Sequence, residues 1–366
     1  MTNWKNVPFH TLFHRLQKRT GFPDEELLSV YRDYGVIRKS DRDDNFNRPG
    51  DLSDYQLVER GDLVLNKMKT WQGSLGISPY RGIVSPAYFV YKPVSQNDER
   101  FLHYALRCRD AIDYYGSHST GIRVNQWDLS PEWLDVMPVP LPDLETQCRI
   151  ADYLDKEISE MDAMIEEFEK LITSLESRRR VFAVNLVRDD QYPLVPLSTI
   201  VSMNSGDSIS SDVIKESGDY PVYGGNGLRG YANTFNGETE RVLIGRQGAL
   251  CGNVHRVQPK FFATEHALVV KPKQNINLIW LEHALREMNL GELSTSVAQP
   301  GITATKVLFQ RIHFPSLVEQ EEIAQRLQKE TAKMDALIEE SARLIENLKA
   351  RKTALITEVV SGRKEV

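Results

Sequence analysis

Two long stretches of the chain place apolar residues alternately three and four positions apart. This spacing is typical of a coiled-coil seam, because a repeat of 3.5 residues keeps one stripe of a helix facing a partner. Each stretch covers 44 residues, 144–187 and 317–360, or roughly 65 Å of helix at about 1.5 Å per residue. The predicted seam residues are Leu154, Ile158, Met161, Ile165, Phe168, Ile172 and Leu175 in the first stretch and Leu327, Met334, Ile338, Ile345 and Leu348 in the second.

The two stretches are copies of each other. A shift of 173 positions places Pro142 on Pro315 and Val187 on Val360 without a gap, and 19 of the 46 aligned pairs are identical. Ordinary composition would give about three identical pairs. The chain therefore contains an internal duplication, which predicts a pseudo-two-fold repeat.

The segment before the first long helix, residues 1–142, shows shorter elements of both kinds. Asp24–Tyr34 favours a short helix or a turn, and Asp62–Met68 favours a strand. Phe101–Ile112 has helical spacing, and Ser117–Arg123 is a polar segment that predicts a loop. These patterns together predict a compact α/β domain.

The segment between the long helices repeats this plan with a different sequence. Val242–Arg246 and Phe262–Val270 favour strands, and Asn277–Met288 favours a helix. The predicted fold is α+β, with two globular α/β segments and two long coiled-coil helices. The predicted domains are residues 1–142, a helix over 143–190, residues 191–315 and a helix over 316–366.

Length and composition restrict the class of protein. The chain has 366 residues, of which 41% are hydrophobic, enough for two domains with real cores. It contains no apolar run of about 18 residues and no signal peptide, so we expect a soluble, cytoplasmic protein that does not enter a membrane. Three widely spaced cysteines, Cys108, Cys148 and Cys251, argue against a disulfide framework and against a cysteine metal site.

The net charge of −6 lies in the first long helix. Residues 143–190 carry 13 acidic and 7 basic side chains, whereas residues 1–142 carry 18 of each. Residues 191–315 carry 11 basic and 10 acidic side chains. The globular segments are thus close to neutral, and the acidic total does not exclude a nucleic-acid partner.

Four motifs for chemistry are incomplete or missing. Gly225–Gly230 fits the dinucleotide pattern, but turn-forming residues follow where that motif needs a helix. Ser85–Tyr88 resembles the tetrad of amino-methyltransferases, but it lacks the second proline. His10 and His14 have no third metal ligand nearby, and no phosphate-binding P-loop occurs. The sequence therefore predicts no catalytic residue, no metal site and no cofactor in this chain.

Polar and aromatic side chains collect instead in short glycine-containing loops of both globular segments. Lysine and arginine bind phosphates or guanine edges, and asparagine and glutamine pair with adenine, although solvated loops have a similar composition. The candidate DNA-binding residues are Lys67, Lys69, Trp71, Gln72, Ser74, Ser119 and Arg123 in the first segment and Asn226, Arg229, Tyr231, Arg246, Gln247, Thr303 and Lys306 in the second.

Several segments spread over essentially the whole chain carry a resemblance to a known family. They are Gly61–Met68, Trp71–Gly76, Gly82–Tyr88, Tyr223–Gly227, Pro140–Pro142 with Gln147–Ile150, and Phe314–Pro315 with Glu319–Ile323. These segments resemble the specificity subunits of type I restriction-modification systems. Two departures occur: Thr146 stands where glutamate is usual, and the loop after Asn125 is longer than its counterpart in the second copy.

The resemblance implies a protein that is not an enzyme. Two target-recognition domains would each read one half of a split sequence in double-stranded DNA, and an antiparallel coiled coil would set the spacer between them. Two methyltransferase (modification) subunits that use S-adenosylmethionine would dock on this frame. Restriction subunits that use ATP and Mg would join them in nuclease complexes.

Two other readings follow from the same residues. The long helices are also compatible with a coiled-coil adaptor that binds only proteins. The Ser85–Tyr88 tetrad is compatible with a methyltransferase that acts alone. Binding to random-sequence duplex DNA, with and without a modification subunit, separates the three.

Overall fold

The computed structural model describes residues 4–16, 25–32, 34–41, 50–123, 126–248, 250–294 and 300–366. The chain divides into two compact units. Unit 1 comprises Met1–Phe168 and Arg343–Val366, and unit 2 comprises Glu169–Ala342. Each unit therefore contains a globular part and one portion of each long helix.

Unit 1 combines short strands with three short helices and the first part of a long helix. Its strands are β1 (Lys5–Pro8), β2 (Phe13–Leu16), β3 (Leu28–Tyr31), β4 (Gly35–Arg38), β5 (Gln56–Val58), β6 (Leu63–Asn66), β7 (Leu75–Ile77), β8 (Gly82–Val84), β9 (Tyr88–Pro93), β10 (Ser119–Arg123), β11 (Gln126–Leu129) and β12 (Pro138–Leu141). Its helices are α1 (Glu99–Ala105), α2 (Arg109–His118), α3 (Pro131–Asp135) and the start of α4 (Leu144–Val187).

Unit 2 has a similar order of elements. Its strands are β13 (Leu194–Pro196), β14 (Val201–Ser205), β15 (Tyr220–Gly224), β16 (Gly227–Ala232), β17 (Arg241–Gly245), β18 (Val254–Val257), β19 (Phe262–Ala263), β20 (Ala267–Pro272) and β21 (Arg311–His313). Its helices are α5 (Leu197–Ile200), α6 (Leu278–Arg286), α7 (Ala304–Leu308) and the start of α8 (Leu317–Val360).

The same four-stranded antiparallel sheet stands at the centre of each globular part. The strand order is β2-β9-β6-β7 in unit 1 and β14-β20-β17-β18 in unit 2. In β6, Leu63 and Leu65 enter one apolar core while Val64 enters another, because successive side chains of a strand point to opposite faces. The two unlike sequences therefore fold to one plan, as the sequence predicts.

A short two-stranded ribbon closes each globular part just before its long helix. β1 pairs with β12, and β13 pairs with β21. The amide of Phe9 donates to the carbonyl of Met137, and the amide of Leu197 donates to that of Gln310, both at 2.9 Å. The ribbons thus bring the start of each globular part to the start of the long helix that follows it.

The two long helices have the predicted bounds, Leu144–Val187 and Leu317–Val360. Their starts are capped by side chains that satisfy free backbone amides: the Asp143 carboxylate accepts from the amide of Thr146 at 2.9 Å. Ser316 and Glu319 bond reciprocally as a capping box. None of the helices in the described ranges is long and apolar enough to cross a membrane.

The long helices pack antiparallel within each unit. In unit 1, Lys352 pairs with Asp162 at 2.7 Å, while further along α8 the Lys364 ammonium lies 5.6 Å above the Tyr153 ring. In unit 2, Arg179 pairs with Asp335. The 173-residue shift relates these ion pairs to each other, so the duplication is preserved in the contacts between the helices.

Burial follows the predicted seam. Leu154 and Leu327 are completely buried, and they belong to cores that also contain residues of the globular parts. Each fully buried leucine stabilises its unit by about 1.5–3 kcal/mol, whereas exposed ion pairs contribute about 0–1 kcal/mol. Ile158, Met161, Leu175, Met334 and Ile345 are also buried, and Ile165, Phe168, Ile172, Ile338 and Leu348 are half-buried.

The prediction of a helix or turn over Asp24–Tyr34 is wrong, because part of this segment forms strand β3. Leu28 and Val30 are buried at 3% and 6% exposure and alternate with half-buried neighbours. Pairing with β4 fixes this alternation. Tertiary contacts of this kind override local propensity in short segments.

Two further predictions for unit 1 are corrected by the structure. The single helix over Phe101–Ile112 is divided into α1 and α2, because Cys108 has an extended backbone. The predicted loop over Ser117–Arg123 is wrong, since α2 extends to His118 and Ser119–Arg123 forms β10, which pairs with β11. The polar residues of this segment favoured a loop and gave no indication of the β-hairpin that it forms.

Candidate nucleic-acid interface

In unit 1, a tight turn after strand β6 carries three of the candidate residues. The hydroxyl of Thr70 donates to the carbonyl of Asn66 at 2.7 Å, which starts a 3-10 turn over Thr70–Gln72. Gly73 ends the turn with φ of 87°, a conformation that favours glycine. The turn holds Lys69 exposed and Trp71 and Gln72 half-buried.

The hairpin of β10 and β11 supports this turn through an aromatic contact. The rings of Trp71 and Trp127 lie 4.6 Å apart, and the Trp71 indole donates to the Met68 carbonyl at 3.1 Å. The two ring planes are tilted by 42°, and a close pair of large rings restricts the conformations of the turn. Trp127 was not among the predicted site residues, although a tryptophan between polar residues of a loop is a usable signal.

The other candidates in unit 1 lie apart from this group or contribute to the fold. The Lys67 ammonium donates to the Pro86 carbonyl at 2.5 Å and lies 4.7 Å from the Phe89 ring. Ser74 is 3% exposed, and Ser119 donates to the carbonyl of Tyr115 at 2.7 Å. Arg123 ends β10, and its side chain lies outside the described residues.

In unit 2, the loops that follow β15 and β17 meet at one end of the globular part. A Cβ atom on Gly225 would lie 2.3 Å from the carbonyl oxygen of Gln247, so only glycine permits this approach. The amide of Arg246 donates to the carbonyl of His266 at 2.8 Å. The amide of Thr264 donates to the carbonyl of Tyr223 at 2.9 Å. Three loops that are distant in sequence are thereby tied together.

These loops present a group of polar side chains with two exposed leucines. Asn226, Arg229 and Gln247 are exposed, and Gln247 Oε1 lies 2.6 Å from the His266 ring nitrogen Nδ1. Leu228 and Leu250 are 52% and 47% exposed. Amide, guanidinium and apolar groups on one surface match the donors, acceptors and methyl groups at base edges of the major groove.

Four other candidate residues of unit 2 do not belong to this group of exposed side chains. The Arg246 guanidinium donates to the Ser205 hydroxyl at 2.8 Å, and half-buried Tyr231 lies toward the far end of β16 from Asn226. The hydroxyl of Thr303 caps α7, and the Lys306 ammonium donates to the carbonyl of Leu293 at 3.1 Å. These contacts contribute to the local fold.

A cleft in unit 2 that contains three arginines and three carboxylates, those of Glu176, Glu287 and Asp335, was also not predicted. It has a volume of about 710 Å³ and is lined by Arg179, Arg180 and Arg286. Burial raises the pKa of Glu287 in the same cleft, against the opposing effect of the neighbouring arginines. Three consecutive arginines, 178–180, stand in an otherwise acidic helix, and that break in charge could have indicated the site.

Comparison with known proteins identifies the second half of the chain. Residues 191–347 match the type I restriction modification DNA specificity domain. This range includes β13 to β21, α5 to α7 and most of α8 up to residue 347.

Two curated relatives are similar over part of the sequence. The type I restriction enzyme EcoprrI specificity subunit of Escherichia coli is 44% identical over 137 residues, which are 36% of this chain and 34% of that protein. The putative type I restriction enzyme specificity subunit S.HindORF215P of Haemophilus influenzae is 28% identical over 157 residues, or 42% and 41% of the two chains. The matches thus span about a third to two-fifths of these relatives.

Two solved structures share the fold over nearly all of both chains. A chain from a structure on complex assembly and conformational transition of the type I R-M system has a TM-score of 0.78 and 15% identity, covering 99% of this chain and 98% of its own. The HsdS subunit from Thermoanaerobacter tengcongensis has a TM-score of 0.59 and 15% identity, covering 100% and 98%.

Over residues 191–347 the chain carries a DNA specificity domain of the type I restriction modification kind. The chain is also similar in sequence to type I restriction enzyme specificity subunits over about two-fifths of its length. The resemblance predicted from the sequence is thereby confirmed.

Proposed function

We propose that this chain is the non-catalytic subunit that selects the DNA sequence methylated by a type I restriction-modification complex in the cytoplasm. It reads a bipartite target, with residues 1–142 contacting one half and residues 191–315 the other. The contrast between its two copies carries this proposal. The long helices share 18 identical pairs, whereas the loops at the two candidate surfaces have unlike residues.

The unlike surfaces fit two independent readers. Lys69, Trp71 and Gln72 stand on a single turn in unit 1, whereas Asn226 and Gln247 stand on separate loops in unit 2. A homodimer reads a palindrome because its two readers are identical. Duplication within one chain allows each reader to recognise a different sequence.

Matching exposed apolar residues support the docking of two copies of one modification subunit. Three pairs related by the 173-residue shift are large, apolar and exposed: Val136 and Phe309 (57% and 77%), Leu144 and Leu317 (39% each), and Met164 and Leu337 (41% and 53%). Repeated apolar positions at the surface mark interaction sites more often than single ones. S-adenosylmethionine would bind to those subunits, and ATP and Mg to associated restriction subunits.

The coiled coil is proposed as the spacer between the two readers. Helices of 44 residues are about 65 Å long at 1.5 Å per residue. Their buried seam holds the two helices in a single register, because a shift would expose Leu154 or Leu327.

Methyl transfer from labelled S-adenosylmethionine to random-sequence duplex tests the proposal. We expect no transfer by the pure chain and sequence-selective transfer when a cognate modification subunit is added. Transfer by the pure chain would instead support an enzyme. A complex that binds the modification subunit but no DNA would support a protein-binding adaptor.

A further inference from the structure

A buried glutamine joins the first long helix to the globular part of unit 1. Gln147 is 2% exposed. Its side-chain amide donates to the carbonyl of Pro142 at 2.9 Å, and its side-chain oxygen accepts from the backbone amide of Asp98 at 3.0 Å. Asp98 is the N-cap residue of α1, and its own carboxylate accepts from the amides of Arg100 and Phe101.

Gln320 makes the same contacts in unit 2. It is 1% exposed. Its amide donates to the carbonyl of Pro315 at 2.9 Å, and its oxygen accepts from the backbone amide of Asn277 at 3.0 Å. Asn277 is the N-cap residue of α6. The 173-residue shift relates both glutamines and both prolines, although α1 and α6 have unlike sequences.

The contacts resemble a capping box that is completed by another helix. In an ordinary capping box, glutamate or glutamine at the third helical position reaches back to the amide of the N-cap residue. In α1 and α6 this position is Phe101 and Trp280, and both side chains are completely buried. The core therefore occupies the position that would supply the cap, and the long helix supplies it instead.

Glutamine suits this position because its side chain is both donor and acceptor. Glutamate in its ionised form could accept from the N-cap amide but could not donate to the proline carbonyl. Three positions further along each long helix, Ile150 and Ile323 are buried in the same cores as Phe101 and Trp280. Each long helix is thus fixed to its globular part by one apolar and one polar contact on the same face.

We propose that Gln147 and Gln320 are positioning residues that set the orientation of each globular part on its own long helix. They restrict the length of the DNA spacer that the complex accepts between the two half-sites. They do not determine which bases are recognised within each half-site. This inference rests on the proposed function. A globular part with a loosened joint samples more orientations, so it tolerates DNA spacers that the parent chain rejects.

The test measures methylation by the full chain with its modification subunit on duplexes with fixed half-sites and spacers that differ by single base pairs. Gln147→Met and Gln320→Met keep the side-chain length but remove the side-chain hydrogen bonds, two at Gln320 and three at Gln147, whose amide also donates to Asn97 Oδ1 at 3.1 Å. The measured quantity is the ratio of the methylation rate at the best spacer to the rate at spacers one base pair longer or shorter. We expect each variant to lower this ratio roughly fivefold, which corresponds to the free energy of about one hydrogen bond. The half-site bases should stay the same, and the melting temperature should fall, because a buried backbone amide and a buried carbonyl lose their partners. Gln328→Met, at an exposed position of α8, is the control and should leave the profile unchanged.

An unchanged spacer profile in Gln147→Met and Gln320→Met overturns the inference, and so does a change in the half-site bases. If the parent complex shows no sequence-selective methylation, the proposed function itself fails. The two kinds of failure can be told apart, because failure of the inference is seen only in the variants, whereas failure of the proposed function is seen in the parent complex.

A pH profile decides the question if the methionine variants do not fold. Burial raises the pKa of a carboxyl group, and a protonated glutamate donates and accepts as glutamine does. Gln147→Glu and Gln320→Glu should therefore show a broad spacer profile at high pH that narrows as the pH falls through the raised pKa. A profile with the parent's width at every pH contradicts the inference.

Discussion

Replacing Trp71 and Gln72 by alanine is expected to relax the specificity of the complex at one half-site only. Both residues stand on the turn after β6, and the Trp71 ring packs against the Trp127 ring. Each base contact discriminates by about 1–3 kcal/mol, so the preference for the correct base should fall roughly 5- to 150-fold. Methylation of duplexes with single substitutions in each half-site measures the effect.

The complementary change in unit 2 should affect only the other half-site. Alanine at Asn226 and Arg229 removes two exposed side chains from the loop end of β15 and β16. Tyr231→Phe is a suitable control, because Tyr231 lies toward the far end of β16, and it should leave both half-sites unchanged. A change at both half-sites from either pair of substitutions would contradict two independent readers.

Adding seven residues to each long helix, after Phe168 and after Ser341, is expected to lengthen the preferred DNA spacer. Seven residues keep the seam on one face, and the ion pairs of Asp162 and Arg179 lie outside the insertions. Each helix gains about 10 Å at 1.5 Å per residue, or roughly three base pairs at 3.4 Å each. Methylation across a series of spacer lengths measures the shift.

The added length also rotates one half-site relative to the other. Three base pairs correspond to about 100°, given roughly 10.5 pairs per turn, so affinity should fall as protein or DNA twists to compensate. A four-residue insertion is the control: it moves the seam to another face and should reduce the melting temperature. A folded, active seven-residue variant with an unchanged best spacer would show that the partner subunits set the spacing.

The long helices could be predicted to the residue because their signal accumulates over many heptads. Leu154 and Leu327 are buried as the seam requires, and the same apolar spacing occurs in both copies of the duplicated helix. Short elements lack this redundancy. Strand β3 exists because Leu28 and Val30 face a core built by distant strands, and no local pattern specifies that pairing.

The candidate surfaces were only partly predictable for a related reason. The loops themselves are visible in the sequence, but the partners of their side chains are not. Lys67 is held by a carbonyl 19 residues away, and Arg246 by a hydroxyl 41 residues away. The contacts of Gln147 with Asp98 also join distant segments, so the sequence indicated a family motif without its physical role.

The most direct test of bipartite reading is to map methylated bases in the genomic DNA of cells that express this chain with its modification subunit. Two independent readers on one chain predict a split motif of two unlike half-sequences, separated by a fixed number of unspecified base pairs and absent when the modification subunit is expressed alone. A single continuous motif, a palindrome, or the same motif without this chain would contradict it.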